Sequence, residues 1–412
     1  MIDKFYSPGI PLDHLRHGPL GLHVDGFASL LFDQGYATDT GRQKIRLVAD
    51  LSAWFGKRHL SLKDLNEAQI EEYLERRKKQ LLLHRSDRRT LAQFLDHLRH
   101  AAIIPHSHEV FCDSPMNRIT RDYAHFLSHQ RGLSQVTINN YLPITRRFLG
   151  TRFPGGKVCL GKLSVGNITD FIVRDSSAFC PKRVQLTTTA LRSFLGFLVQ
   201  AGKITVNLAA AVPTVANWRL GELPQFLEPK QVDKLLSSCN QNSRSGRRDY
   251  AVLLLLARLG LRAGEVVHLN LENINWAAGE LMIRGKSARE DRLPLLPEVG
   301  GALADYLKRD RPACACRRVF IRLPAPRQGF LGSSTVCCIL RRALARAHLH
   351  PPHKGAHLLR RSLATTMLRR GASLTQIGEV LRHQLAQTTE IYAKVDVAAL
   401  RALAQPWPGG AR

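Results

Sequence analysis

Apolar residues recur along the first half of the chain in two matching series. Phe27-Ala28-x-x-Leu31 is followed by Gly35, and Tyr123-Ala124-x-x-Leu127 is followed by Gly132. Leu62-x-x-Leu65-x-x-x-x-Ile70-x-x-Tyr73-Leu74 matches Leu160-x-x-Leu163-x-x-x-x-Ile168-x-x-Phe171-Ile172 position for position. The offsets are 96, 97 and 98 residues, so the register drifts by only two. Such spacing places apolar side chains on one face of amphipathic helices. It predicts two related helical units, over 20–105 and 112–212.

After them the pattern breaks. Pro213-Thr214-Val215-Ala216 through Leu223-Pro224 carries two prolines and a glycine and reads as extended chain. Glu228-Pro229-Lys230-Gln231 then begins a helix with Pro229 in its first turn. Strand-like residues cluster only around 272–296, where the turn Ala277-Ala278-Gly279-Glu280 leads into the short strand Leu281-Met282-Ile283 and Arg292-Leu293-Pro294-Leu295 starts another. The expected fold is mainly α with a small β-sheet, divided as 1–110, 111–215, a linker at 216–226, and 227–412.

Charge narrows the function. Lys and Arg number 60 against 33 Asp and Glu, a formal net charge of +27. That excess implies a polyanionic partner, because neutralising phosphates releases condensed counterions. No apolar run approaches the roughly 20 residues of a spanning helix. The opening Met1-Ile2-Asp3-Lys4 lacks the basic-then-apolar order of a signal peptide. The expectation is a cytoplasmic, nucleoid-associated protein that meets nucleic acid and no membrane. Eight cysteines then read as reduced thiols. Cys314-Ala315-Cys316 and Cys337-Cys338 lack paired zinc-ligand spacing, so no metal is expected.

Candidate chemistry lies in the last segment. Leu259-Gly260-Leu261-Arg262-Ala263-Gly264-Glu265 follows an apolar helix, and Arg284-Gly285-Lys286 ends the first strand of the hairpin. His357 and Arg360 share a helical face at i, i+3. Leu381-Arg382-His383 closes another helix, and Tyr392 follows nine residues after His383. In order and spacing these boxes resemble the active site of the tyrosine recombinase (phage integrase) family. The resemblance covers 227–412, and 112–212 resembles that family's core-binding domain.

The resemblance implies two helical DNA-binding units of the SAM-like core-binding type ahead of an α+β catalytic domain. It also implies a site made of Arg262, Lys286, His357, Arg360, His383 and Tyr392, with Tyr392 as nucleophile, Glu265 supporting Arg262, and no cofactor. Two positions depart from the pattern. Arg361 stands where many members have a further histidine, and Arg382 where a glycine is usual.

The residue types suit the reaction. Two guanidiniums can clamp the non-bridging phosphate oxygens and offset the charge of a pentavalent transition state. A phenol titrates near ~10, so Tyr392 needs a base or positive surroundings. His357 suits proton acceptance, His383 hydrogen bonding to the phosphate, and Lys286 protonation of the 5′ leaving oxygen. The implied partners are double-stranded DNA and three further copies on paired sites, with room for accessory recombinase or directionality proteins. The segment Val397–Leu403 is amphipathic and suits docking on a neighbouring protomer.

The stretch 341–370 holds Arg341, Arg342, Arg346, Lys354, Arg360, Arg361, Arg369 and Arg370 with no acidic residue, and reads as a phosphate track. Arg76-Arg77-Lys78-Lys79 is either a second track or the basic last turn of a solvated helix. A type IB topoisomerase would share the tyrosine chemistry. A DNA-binding relic would have lost part of the set, which is intact here. A metal-dependent nuclease would need a carboxylate cluster near the basic boxes, and the sequence shows none.

Overall fold

The computed structural model describes residues 2–7, 11–80, 82–105, 114–215, 224–285 and 290–395. The chain forms two compact units, one of residues 1–105 together with 222–412 and the other of residues 106–221.

In residues 2–105 four helices follow one another: α1 (Val24–Asp33), α2 (Thr38–Lys57), α3 (Glu67–Lys79) and α4 (Asp87–His100). Phe27, Val48, Phe55, Tyr73 and Phe94 fill their core. The stretch ahead of α1 also joins this core, through Ile2, Phe5, Leu15 and Leu20. The apolar pattern starting near residue 20 did not reveal that contribution. Gly41 of α2 makes room for it, since a Cβ there would lie 2.1 Å from the Phe5 ring.

Residues 114–215 repeat the order: α5 (Pro115–His125, prolonged by a π turn at Phe126–Gln130), α6 (Gln135–Arg152), α7 (Val165–Ala178) and α8 (Pro181–Gln200). The correspondence extends to detail. Phe27 meets Phe94 edge-on at 5.2 Å, and Tyr123 meets Phe194 edge-on at 5.1 Å. Ile70, Tyr73 and Leu74 are buried, as are Ile168, Phe171 and Ile172. Gly35 and Gly132 both have positive φ. The paired leucines, however, do not extend the helical stripe. Leu62 and Leu160 begin separate 3-10 turns, and the side chains of Asn66 and Ser164 cap the helices that follow.

Residues 224–395 surround α10 (Arg244–Arg258), whose apolar Ala251–Ala257 run is buried on all sides. An all-round apolar helix must be central. Around it pack α9 (Pro229–Ser237), α11 (Ala263–His268), α12 (Pro297–Arg309), α13 (Ser333–Arg346) and α14 (His357–Arg369). The sheet is antiparallel, with β1 (Ile274–Asn275), β2 (Glu280–Arg284) and β3 (Glu290–Pro294) in that order. Leu281 and Ile283 alternate inward from β2. β3 starts two residues before the Arg292 expected, pairing Arg284 with Glu290 and Ile283 with Asp291.

α9 begins at Pro229, as its proline predicts, with a reciprocal cap between Glu228 and Gln231. The chain just before it is already fixed: Leu227 N–H donates to Ser362 Oγ at 2.8 Å and Arg369 covers Phe226 at 4.7 Å. Last comes α15 (Leu374–Val380), followed by 3-10 turns at Ala386–Thr388 and Glu390–Val395. Val397–Leu403 and residues 216–223 of the expected linker lie outside the described residues. No described helix is long and apolar enough to cross a membrane.

Candidate active site

The site grows from the end of α10. Gly260 ends that helix with φ +59°. A side chain there would be strained, and its Cβ would also lie 2.7 Å from Leu381 Cδ2 and 3.1 Å from Leu363 Cδ2. The glycine turn delivers Arg262 to the N-cap of α11, three residues before Glu265. Glu265 reaches back, so Oε2 accepts from Arg262 N at 2.8 Å and Oε1 from the Arg262 guanidinium at 2.8 Å. Glu265 is 6% exposed at its side chain, whereas Arg262 is 39% exposed. The carboxylate therefore braces a guanidinium that still faces solvent.

The second arginine comes from α14. Arg360 is buried, and its two terminal nitrogens donate to the carbonyls of Gly260 and Leu381. His357, the first residue of α14, lies one turn earlier and keeps an exposed face.

α15 ends at a tight reversal through Leu381, Arg382 and His383 in which Arg382 takes φ +54°. This conformation suits the glycine usual at that position and is uncommon for a residue with a Cβ. The reversal presents successive groups to the site. Leu381 O accepts from Arg360, Arg382 O accepts from Arg262 at 3.4 Å, and the His383 ring follows. His383 Nδ1 pairs with Thr389 Oγ1 at 2.8 Å. Its imidazole lies parallel to the Tyr392 ring, with centroids 6.5 Å apart and 6° between planes. Tyr392 is only 4% exposed, in a small cluster with Ala364, Ile377 and Leu381.

Electrostatics follow from this packing. Burial, then repulsion from Arg262 and Arg382, brings Arg360 down to about 10, with Glu265 opposing. Burial and the charges of Arg360, Arg262 and Arg382 lower His383 to about 4. His357 is lowered by the protein around it and by Arg360, Arg361 and Arg262. Both imidazoles are thus neutral at pH 7. Burial pushes Tyr392 above the usual phenol value, against the pull of Arg360 and Arg361, so it is protonated before substrate arrives. Burial alone would raise Glu265. The charge of Arg382 and the hydrogen bonds from Arg262 outweigh that and keep it ionised. Arg262, Arg360 and Arg382 outnumber the carboxylates of Glu265 and Asp291, so the site carries net positive charge suited to a phosphodiester.

Of the sequence-derived set, Arg262, Arg360, His383 and Tyr392 are joined by these contacts, and His357 lies within range of the same charges. Lys286 lies outside the described residues, between the paired Arg284 and Glu290. Thr389 and the side chain of Arg382 escaped the sequence reading as partners of the site. The break from glycine at 382 was the available signal for one, and nothing marked the other.

Along 341–370, Arg341, Arg342, Arg346, Lys354, Arg369 and Arg370 are exposed and Arg360 is buried; Arg346 also donates to the Ser238 carbonyl and Arg369 pairs with Glu228. Arg77 in the amino-terminal run is likewise structural, lying 3.3 Å from Asp50 and 3.4 Å from Asp87.

The fold is thus a helical domain with a small antiparallel sheet that brings guanidiniums, imidazoles and a buried tyrosine close together. The chain belongs to the phage integrase family of tyrosine recombinases and is a site-specific DNA recombinase: residues 225–398 match the model of that family, and full-length relatives agree. It is 43% identical over 409 residues to integrase/recombinase y4rA of Sinorhizobium fredii, spanning 99% of each chain. Tyrosine recombinase XerD of Listeria innocua is 29% identical over 293 residues, which cover 69% of this chain and 97% of the relative.

Among solved structures, XerH bound to palindromic difH superposes with TM-score 0.55 at 18% identity, covering 82% of this chain and 94% of that one. A lambda integrase tetramer on a Holliday junction gives 0.51 at 18% identity, covering 74% and 89%. These likenesses carry the fold.

Proposed function

We propose that Tyr392 exchanges DNA strands through a covalent 3′-phosphotyrosine. The phenol oxygen bonds to the scissile phosphorus as the P–O5′ bond breaks. His357 takes the phenolic proton, and Lys286 gives a proton to the departing 5′ oxygen. Arg262 and Arg360 bind the non-bridging oxygens, and His383 hydrogen-bonds the same phosphate. A 5′-hydroxyl from the second site then attacks the phosphotyrosine, restoring the phenol and one phosphodiester. One phosphodiester is made for each one broken, so no high-energy cofactor is consumed.

The observation carrying this reading is the convergence of Arg262, Arg360 and His383 on the Leu381–Arg382 reversal, with Tyr392 parallel to His383. Strand exchange between two sites calls for four protomers, and the lambda integrase tetramer on a Holliday junction lends that assembly support. Segments 1–110 and 111–215, sharing one element order, are proposed as DNA-contacting units beside the catalytic segment 227–412. A mobile element is the proposed setting, with the reaction carried out on cytoplasmic DNA.

The test is covalent trapping on nicked suicide duplexes drawn from DNA flanking the gene, in EDTA. A protein–DNA adduct with the wild type and none with Tyr392→Phe is expected. An adduct persisting in Tyr392→Phe would show another nucleophile.

A further inference from the structure

Arg382 does more than turn the chain. Its side chain is 6% exposed, like that of Glu265, and donates to Glu265 Oε2 at 2.8 Å. Glu265 is therefore held from two sides, by Arg262 through Oε1 and by Arg382 through Oε2. The Arg382 carbonyl meets the other terminal nitrogen of Arg262 at 3.4 Å. Arg382 Nε makes no hydrogen bond, and Asp291 of β3 lies 4.0 Å away across the buried space. A single residue in a strained backbone conformation thus touches the support of Arg262, the guanidinium of Arg262 and the strand that leaves the Lys286 hairpin.

We infer that Arg382 is a positioning residue for Arg262, fixing it against Glu265 so that its guanidinium is aimed at the scissile phosphate before DNA binds. Arg382 is committed to the buried Glu265 carboxylate, whereas the Arg262 guanidinium keeps an exposed part for the phosphate. A glycine would adopt the same φ without strain but would leave Glu265 with one guanidinium instead of two. Retaining an arginine there gains preorganisation of the clamp at the expense of backbone ease. The inference rests on the site reading above.

The test compares wild type, Arg382→Gly, Arg262→Ala and Tyr392→Phe on two suicide substrates, one with a normal scissile phosphate and one with a neutral methylphosphonate. Arg382→Gly retains the required turn, so DNA affinity should stay within about twofold of wild type, while cleavage of the normal phosphate falls about tenfold or more. On the methylphosphonate, which needs less guanidinium compensation, the deficit of both Arg382→Gly and Arg262→Ala should shrink to about threefold or less.

Cleavage of the normal phosphate by Arg382→Gly within about twofold of wild type would overturn the assignment. An equal deficit on both substrates would also overturn it, showing a purely structural role. If Tyr392→Phe still forms the adduct, the site reading fails and this assignment with it.

Discussion

The rings of His383 and Tyr392 lie parallel with centroids 6.5 Å apart, although nine residues and a 3-10 turn separate them in the chain. Thr389, which falls between them in the chain and is buried, holds the His383 ring, its hydroxyl pairing with Nδ1 at 2.8 Å. Fixing one imidazole nitrogen sets the direction of the other. Thr389→Val removes that bond and leaves a ring nitrogen unpaired, a cost of about 1–3 kcal/mol. Cleavage should fall about tenfold with DNA binding retained, and Thr389→Ser should restore most of it. Single-turnover cleavage and binding titrations check both parts. A valine variant as active as wild type would dismiss the hydroxyl.

Arg360 offers a harsher test. Its guanidinium satisfies two buried carbonyls, at Gly260 and Leu381. Arg360→Ala should abolish cleavage, largely spare DNA binding, and cost about 2–5 kcal/mol of stability from unpaired carbonyls and lost packing. Arg360→Lys should recover part of the stability but little of the cleavage, because an ammonium cannot reproduce the planar fork. Denaturant melts and cleavage assays separate the two effects. Near wild-type cleavage by either variant would remove Arg360 from the site.

Gly260→Ala probes the seam. Left-handed φ and a Cβ 2.7 Å from Leu381 both oppose it. About 1–3 kcal/mol of destabilisation is expected. Activity should fall beyond what unfolding explains, since Gly260 and Leu381 supply the carbonyls that hold Arg360. Thermal melts and cleavage measured well below Tm would show it.

The lowered His383 implies a pH dependence of stability. Its folded pKa is about 4 and its ordinary value is 6.5. Between these the unfolded chain binds a proton that the folded chain does not, so stability rises with pH through the window. The contribution is complete above the unfolded value and is lost progressively as pH falls toward about 4. One proton limits the slope to about 1.4 kcal/mol per pH unit. His383→Gln should flatten the fall in Tm between neutral and mildly acidic pH. Because His357 shifts in the same direction, the difference between variant and wild type is the informative quantity. An unchanged slope would show that His383 is not held neutral by its surroundings.

Much of the architecture was legible in the sequence. The apolar series around Phe27 and Tyr123 marked helices that the structure places in one order twice. Pro229 set the start of α9, and the Gly260-Leu261-Arg262 turn set the entry to α11. Such features are local, because a helix period, a proline or a glycine acts over a few residues. The resemblance to the tyrosine recombinase family picked out Arg262, Arg360, His383 and Tyr392, and the structure brings these four together around the Leu381–His383 reversal.

Tertiary structure decided what holds those side chains. Arg360 reaches Gly260 over 100 residues, and Arg382 reaches Glu265 over 117. No local rule predicts a left-handed arginine, because its backbone cost is met by an ion pair that exists only once α11 and α15 have packed together. The same reason buries Arg360 and ties Arg77, Arg346 and Arg369 to structural partners that the basic runs by themselves do not announce. Charge is written residue by residue along the chain, whereas its compensation depends on which carboxylates and carbonyls folding brings within hydrogen-bonding distance.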